Sequence, residues 1–372
     1  MSARFLTAVS GRAFNMRDRF GREIDYMRIS VIDSFNLNCY YCNPQDNNKN
    51  CQAINILSVK KVLCIVRAAT RLGITHFRLT GGEPLLHPQI DEMVSQIKKI
   101  PGVRSVSLTT NAVLLAQHAK QLKEAGIDSI NVSLDTIDAS EYEYITKKPL
   151  LDKVEHGIDA AIECGIRVKI NAVLTPQTDV VALTRYASKK GTDIRFIEMM
   201  PVGEGHTNGV EPYKKVIGAL LEVYGTPCHI DTENREEINS GYNNADNGPA
   251  EYYSFHGLNI RVGLIQAIHG KFCDTCNRIR VTADGRLMPC LGSSVTMDLV
   301  PDSCEFTDDL EKDFVIAQAL KAAIKAKPGC HNFNDNAVTY TKTTETKTVE
   351  TKTTELKAAE VNAARNMSRI GG

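Results

Sequence analysis

The chain has 372 residues, with 44 Lys plus Arg against 44 Asp plus Glu, so its formal net charge is zero. That length holds a large barrel or two domains. A balanced charge gives no long-range field for capturing nucleic acid, and no apolar run is long enough to span a bilayer.

The first twenty residues, MSARFLTAVSGRAFNMRDRF, are broken by Arg4, Arg12 and Arg17 and lack the apolar stretch of a secretory signal. Eleven cysteines are therefore read as reduced thiols rather than disulfides. A cytoplasmic location is the expectation, or a mitochondrial one if the acid-free stretch before Asp18 is a presequence.

From about residue 28 to residue 198 short β-type runs alternate with helical stretches. Strands are predicted at Met27–Ile32, His76–Leu79, Val103–Thr109, Ser129–Leu134, Arg167–Val173 and Asp193–Ile197, most of them rich in Val, Ile or Thr. Between them, Val59–Arg71, Gln89–Lys99 and Leu114–Ala125 have helical spacing, and Gly73, Gly126 and Gly165 fall where left-handed C-caps are wanted. Strict alternation of this kind predicts an α/β fold with a parallel sheet. Six such units suit an open or partial (β/α)6 TIM-like barrel, whose chemistry sits at the C-terminal ends of the strands.

After about residue 205 Gly, Asn and Pro become frequent and the alternation is lost. Residues 341–355 read TKTTE, TKTVE, TKTTE, a composition that cannot bury a core and predicts a solvated spacer. The chain ends NMSRIGG.

Two cysteine groupings stand out. Downstream, Cys273, Cys276 and Cys290 form C-x2-C-x13-C, and the intervening RIRVTADGRLMPC reads as a hairpin turning at Asp284-Gly285. Three soft ligands brought to one point suit an iron–sulfur cluster with one open iron. Zinc is the rival, with His269 or Cys304 as fourth ligand. Upstream, Cys39 and Cys42 lie in DSFNLNCYYC, directly after the first strand. Two thiols alone leave a redox pair, half a zinc site and part of a cluster all open. After the second strand comes Leu79-Thr80-Gly81-Gly82-Glu83-Pro84, whose glycines permit close approach of a ligand and whose Glu83 is an acceptor for an amine.

Taken together, C-x2-C after strand one, GGEP after strand two and VSLD at 132–135 resemble the radical S-adenosylmethionine (SAM) superfamily. RFIEMMPVG at 195–203, CNRIRVTADGRLMPC and the terminal Gly371-Gly372 narrow the resemblance to the GTP 3′,8-cyclase family, which begins molybdenum-cofactor synthesis. The resemblance implies a radical-SAM partial barrel over residues 1–204 and a region over 205–335 holding a second Fe–S cluster. A low-complexity spacer then covers 336–365 and a Gly-Gly tail 366–372.

The implied cofactors are two [4Fe–4S] clusters and SAM. Cys39 and Cys42 belong to the first cluster, and Cys273, Cys276 and Cys290 to the second, whose open iron would hold guanine. Tyr41, Gly82, Ser133 and Met200 match SAM-contacting positions, with Glu83 in the same pocket. Arg28, Arg78, Thr109, Lys169, Arg278 and Arg280 match GTP-contacting ones, and Gly371 and Gly372 are expected to enter the active site. Several Arg forks are what a triphosphate requires. The resemblance also implies a homodimer, a reductant protein, and cyclic pyranopterin monophosphate synthase as the downstream recipient of the product.

The chain departs from the family where the first motif, C-x3-C-x2-C, has Phe35 in place of its first cysteine. Phe cannot ligate iron. Three readings follow: the N-terminal cluster is absent and the chain an inactive GTP- or cluster-binding relative; Cys51 substitutes; or Asp33 supplies a non-cysteine ligand. His76 stands where the family often has Lys and is left unassigned.

Overall fold

The computed structural model describes residues 16–41, 54–201, 209–230, 248–293, 295–299, 309–331 and 333. Cys42, Cys51, Cys304, the repeat at 341–355 and Gly371-Gly372 lie outside them. The first part of the chain runs β1 (Tyr26–Ser30), α1 (Val59–Thr70), β2 (His76–Thr80), α2 (Ile90–Lys98), β3 (Ser105–Thr110), α3 (Leu115–Glu124), β4 (Ser129–Ser133), α4 (Ala139–Thr146), α5 (Leu151–Glu163), β5 (Arg167–Val173), α6 (Val180–Lys190) and β6 (Asp193–Ile197). After these come α7 (Pro212–Tyr224), β7 (Cys228–Ile230), β8 (Glu251–Ser254), β9 (Val262–Ile265), β10 (Arg278–Val281), β11 (Arg286–Met288), β12 (Met297–Asp298) and α8 (Asp309–Ala326).

Local chemistry sets the helix ends. The Ser58, Asp138 and Asp179 side chains accept backbone N–H bonds at the starts of α1, α4 and α6. Gly73, Gly126 and Gly165 take positive φ of 87°, 87° and 69°, as their places after helices predict.

The twelve strands of the described residues form one sheet in the order β12-β11-β10-β1-β2-β3-β4-β5-β6-β9-β8-β7. The six sequence-predicted strands form its parallel centre, β1 to β6. The region after residue 205 does not abandon the sheet: β10 pairs parallel with β1, and β9 pairs parallel with β6. Those strands have four residues each, too few for an alternation to register in the sequence. Among the described residues no pairing joins β12 to β7.

Register explains the strand sequences. On one face Met27, Ile29, Phe77, Leu79, Val106, Leu108, Ile130, Val132, Ile170 and Phe196 are all fully buried and belong to the hydrophobic core. On the other face the alternate residues are polar: Arg28, Arg78, Thr109, Asn131, Asn171 and Arg195, with Arg280 beside Arg28. A period of two puts these sets on opposite faces. The polar residues of seven strands line one cavity, which places them inside the curved sheet.

Helix α8 crosses back onto α1. Asp313, 2 % exposed in its side chain, receives Arg67 Nε at 3.0 Å and Arg71 Nη2 at 3.2 Å. This pins the C-terminal helix so that the segment after it returns to the mouth of the sheet.

Candidate active site

A cavity of about 360 Å³ opens at the C-terminal ends of the central strands, a size usual for small-molecule sites. Its lining includes Arg28, Tyr41, Arg78, Gly82, Glu83, Thr109, Ser133, Met200, Arg278 and Arg280, together with Cys39, Cys273, Cys276 and Cys290. Lys169 is not on the lining. It is fully buried, between Asn131 and Asp193 in register, toward the start of β5.

The paired glycines line the cavity and also bring two stretches of backbone together. Gly82 N–H donates to the Ile32 carbonyl at 2.6 Å and Glu83 N–H to the Ser34 carbonyl at 2.7 Å. A Cβ on Gly81 would lie 2.5 Å from the Ile32 oxygen, and one on Gly82 2.0 Å from the Ser34 oxygen. Glycine is needed here because two backbones touch. The contact fixes the loop after β1, which carries Phe35 and Cys39 to the cavity wall.

Glu83 is 2 % exposed. Its carboxyl accepts from Leu85 N at 3.0 Å, Thr110 Oγ1 at 2.7 Å and Asn111 N at 2.8 Å. Burial outweighs those three donors and pushes its pKa up to about 7. Across the cavity the Tyr41 hydroxyl donates to Asp135, which also accepts from Val173 N at 2.8 Å. Burial raises the Asp135 carboxyl above its ordinary range. Asp135 therefore anchors the aromatic residue of the first cysteine loop, a role that VSLD alone did not disclose.

The cavity floor is cationic. Tyr26 sits among the arginines and its hydroxyl accepts from Arg78 Nε at 2.5 Å. Burial would raise its phenol, but Arg78, Arg28 and Arg278 bring it below its ordinary value. His76 stacks on Tyr26 with centroids 6.4 Å apart. Arg28 is pulled well down, by burial and then by Arg280 and Arg78. Burial and the Arg278 charge bring Arg280 down to about 10.

Arg195, lowered by burial, donates from Nε to Asn171 Oδ1 at 2.9 Å. It was not among the sequence candidates, although its place in DIRFI, on the inward face of a strand, is the signal that marks Arg28 and Arg78. Thr109 Oγ1, Asn131 Oδ1, Arg195 Nη2 and Arg280 Nη1 are buried with no hydrogen-bond partner among the described residues. Mutually repelling cations with spare donors are suited to a bound polyanion.

Cys273, Cys276 and Cys290 share one wall, beside Arg278, Arg280 and Lys327. Their hairpin forms as predicted: β10 pairs antiparallel with β11, and Gly285 has φ 85°. Burial pushes the Cys273 thiol up, against a hydrogen bond from the His331 backbone and helped by the sulfurs of Cys290 and Cys276. Burial would also raise Cys276, but Lys327 and Arg278 bring it below the ordinary thiol value. Cys276, flanked by two cations, is suited to binding as a thiolate.

Among the described residues no three His, Cys, Asp or Glu side chains are grouped closely enough to hold a single metal ion, Cys273, Cys276 and Cys290 included. His269, proposed as a zinc ligand, instead pairs through Nδ1 with the buried Glu198. Glu198 also accepts from Ile268 N at 2.7 Å.

The N-terminal site is different. Phe35 lines the cavity four residues before Cys39. Asp33, offered as a substitute ligand, has its Oδ1 and Oδ2 bonded by Asn55 N at 3.0 Å and Asn55 Nδ2 at 2.6 Å, and it is not on the lining. Among the described residues Cys39 is the one thiol the first motif supplies; Cys42 and Cys51 lie outside them.

Comparison with known proteins fits this geometry. The Radical SAM superfamily profile matches residues 33–183, and the Molybdenum Cofactor Synthesis C profile matches residues 192–333. A GTP 3′,8-cyclase of Clostridium perfringens (strain 13 / Type A) is 35% identical over 321 residues, covering 86% of this chain and 95% of the relative. One from Pelotomaculum thermopropionicum is 36% identical over 324 residues, covering 85% and 95%. The crystal structure of Streptococcus suis SuiB bound to S-adenosylmethionine superposes with a TM-score of 0.53 at 15% identity, covering 80% of this chain and 65% of that one, a likeness of fold. Two profiles in this order, relatives matched over nearly their whole length, and one cavity joining GGEP to the C-x2-C-x13-C cysteines place the chain in the GTP 3′,8-cyclase family of the radical SAM superfamily.

Proposed function

We propose that the chain catalyses the SAM-dependent radical conversion of GTP to (8S)-3′,8-cyclo-7,8-dihydroguanosine 5′-triphosphate, the first step of molybdenum-cofactor synthesis. The observation that carries this reading is one cavity in which Arg28, Arg78, Arg195, Arg278 and Arg280 surround Tyr26 beside Cys273, Cys276 and Cys290. Five guanidinium groups match the charge and hydrogen-bonding of a triphosphate.

SAM and a [4Fe–4S] cluster are the superfamily's cofactors, and when bound they supply the electron and the hydrogen-abstracting radical. The chain's own part is placement. The arginines hold and neutralise the phosphates, Tyr41 is fixed by Asp135, and the loop tied to GGEP closes one wall against water. A second [4Fe–4S] cluster on Cys273, Cys276 and Cys290, with an iron left for the guanine base, belongs to the same proposal. So do Gly371 and Gly372 as active-site residues, and the division into a barrel over 1–204 and a cluster region over 205–335. A homodimer, a reductant protein and delivery of product to cyclic pyranopterin monophosphate synthase complete it.

Phe35 favours a second reading, a catalytically impaired relative that keeps GTP and the C-terminal cluster. Anaerobic incubation with GTP, SAM and reductant separates the two. Formation of 5′-deoxyadenosine and the cyclised nucleotide, with about eight iron per chain, supports the enzyme. About four iron, GTP bound and no 5′-deoxyadenosine support the impaired relative.

A further inference from the structure

Lys327 follows α8 and is 2 % exposed. An ammonium group has three donor hydrogens, and Lys327 Nζ has three contacts: Cys276 Sγ at 3.4 Å, the Arg278 carbonyl at 2.8 Å and the Pro289 carbonyl at 3.0 Å. Arg278 lies two residues beyond Cys276, and Pro289 immediately precedes Cys290. One cation thus ties the arms that carry two of the three cysteines.

The residues after Lys327 hold the third. Arg22 Nη1 donates to the Cys273 carbonyl at 2.6 Å and the Gly329 carbonyl at 3.1 Å, while Nη2 reaches the Pro328 carbonyl at 2.6 Å. The His331 N–H is directed at the Cys273 sulfur, and its Nε2 donates to the Ala267 carbonyl at 2.7 Å.

Arg22 has its own counter-ion, Asp18, at 2.6 Å. Lys327 has no carboxylate partner among the described residues. Burying an ammonium group without a negative neighbour is costly, and the group it faces is a cysteine sulfur. The arrangement is balanced when that sulfur belongs to a centre of net negative charge.

We propose that Lys327 is a positioning residue for the C-terminal cluster, joining the Cys276 and Cys290 arms and setting the cluster's reduction potential by its fixed charge. The inference rests on the reading above that Cys273, Cys276 and Cys290 hold a cluster. A cation at van der Waals range of a ligand sulfur stabilises the more negative, reduced state.

The test uses the full chain with Cys39→Ser and Cys42→Ser, so that one cluster is followed. EPR-monitored redox titration is compared for Lys327, K327Q and K327R, with iron content and circular dichroism. Glutamine keeps a donor for the carbonyls and removes the charge; arginine keeps the charge. The expected result is a K327Q midpoint more negative by at least a tenfold change in the reduction equilibrium, about 59 mV for one electron, with most of the shift recovered in K327R. A full cluster in K327Q with an unchanged midpoint overturns the role of Lys327 and leaves the cluster reading standing. Loss of iron from both variants with the fold intact overturns the charge role. No cluster on the Lys327 protein overturns the cluster reading itself.

Discussion

Gly82 and Ser34 touch backbone to backbone: a Cβ on Gly82 would fall 2.0 Å from the Ser34 carbonyl oxygen. Neither side can yield, because Gly82 N–H is bonded to Ile32 and Glu83 N–H to Ser34. Gly82→Ala should therefore destabilise the chain by about 2–3 kcal/mol, the upper range for overpacking, and should lower SAM binding. Urea unfolding checks the first effect and equilibrium dialysis with labelled SAM the second. A Gly82→Ala midpoint equal to that of the parent would show that the contact is relaxed.

Glu83 gives a pH dependence. Its folded pKa of about 7 lies above its ordinary 4.5, so the folded state binds the extra proton between those values. The stability this contributes is fully present below about pH 4.5 and is lost as pH rises through about 7. At about 1.4 kcal/mol per unit, the loss is on the order of 3 kcal/mol. Urea titrations from pH 5 to pH 8 should show stability falling in the parent, with a flatter profile in Glu83→Gln. Parallel profiles would sink the assignment.

Phe35 lies at the cavity wall on a loop that hydrogen bonds from Gly82 and Glu83 hold in place. A cysteine there is carried to the same wall as Cys39. Phe35→Cys should raise bound iron to about eight per chain after anaerobic reconstitution and increase SAM cleavage. Iron and sulfide assays with 5′-deoxyadenosine chromatography measure both. No gain in either would place the defect elsewhere.

Arg195 faces the cavity floor, and its buried Nη2 has no hydrogen-bond partner among the described residues. Hydrogen bonds to charged groups contribute about 1.5–3 kcal/mol. Arg195→Gln should weaken GTP binding by about 10- to 100-fold while leaving guanosine binding within about twofold. Calorimetry with the two ligands distinguishes loss of a phosphate contact from general damage to the site.

The central architecture can be read from consecutive residues. Arg167–Val173 and Asp193–Ile197 coincide with β5 and β6, and the other four predicted strands differ from β1–β4 only at their ends. Strand period and glycine caps are local properties, and local properties are written in consecutive residues. The GGEP and cysteine motifs were legible for the same reason, and with them the family and the missing thiol at Phe35.

How distant segments meet is a property of the assembled fold. Residues after 205 add β9 and β10 to opposite sides of the six-stranded centre, closing the cysteine hairpin against β1. Arg195 joins the arginines because its register sets it beside Asn171. Lys327 reaches Cys276 because Asp313 pins α8 to α1. Those contacts depend on sheet order and helix docking, which arise from burial of apolar faces contributed by the whole chain.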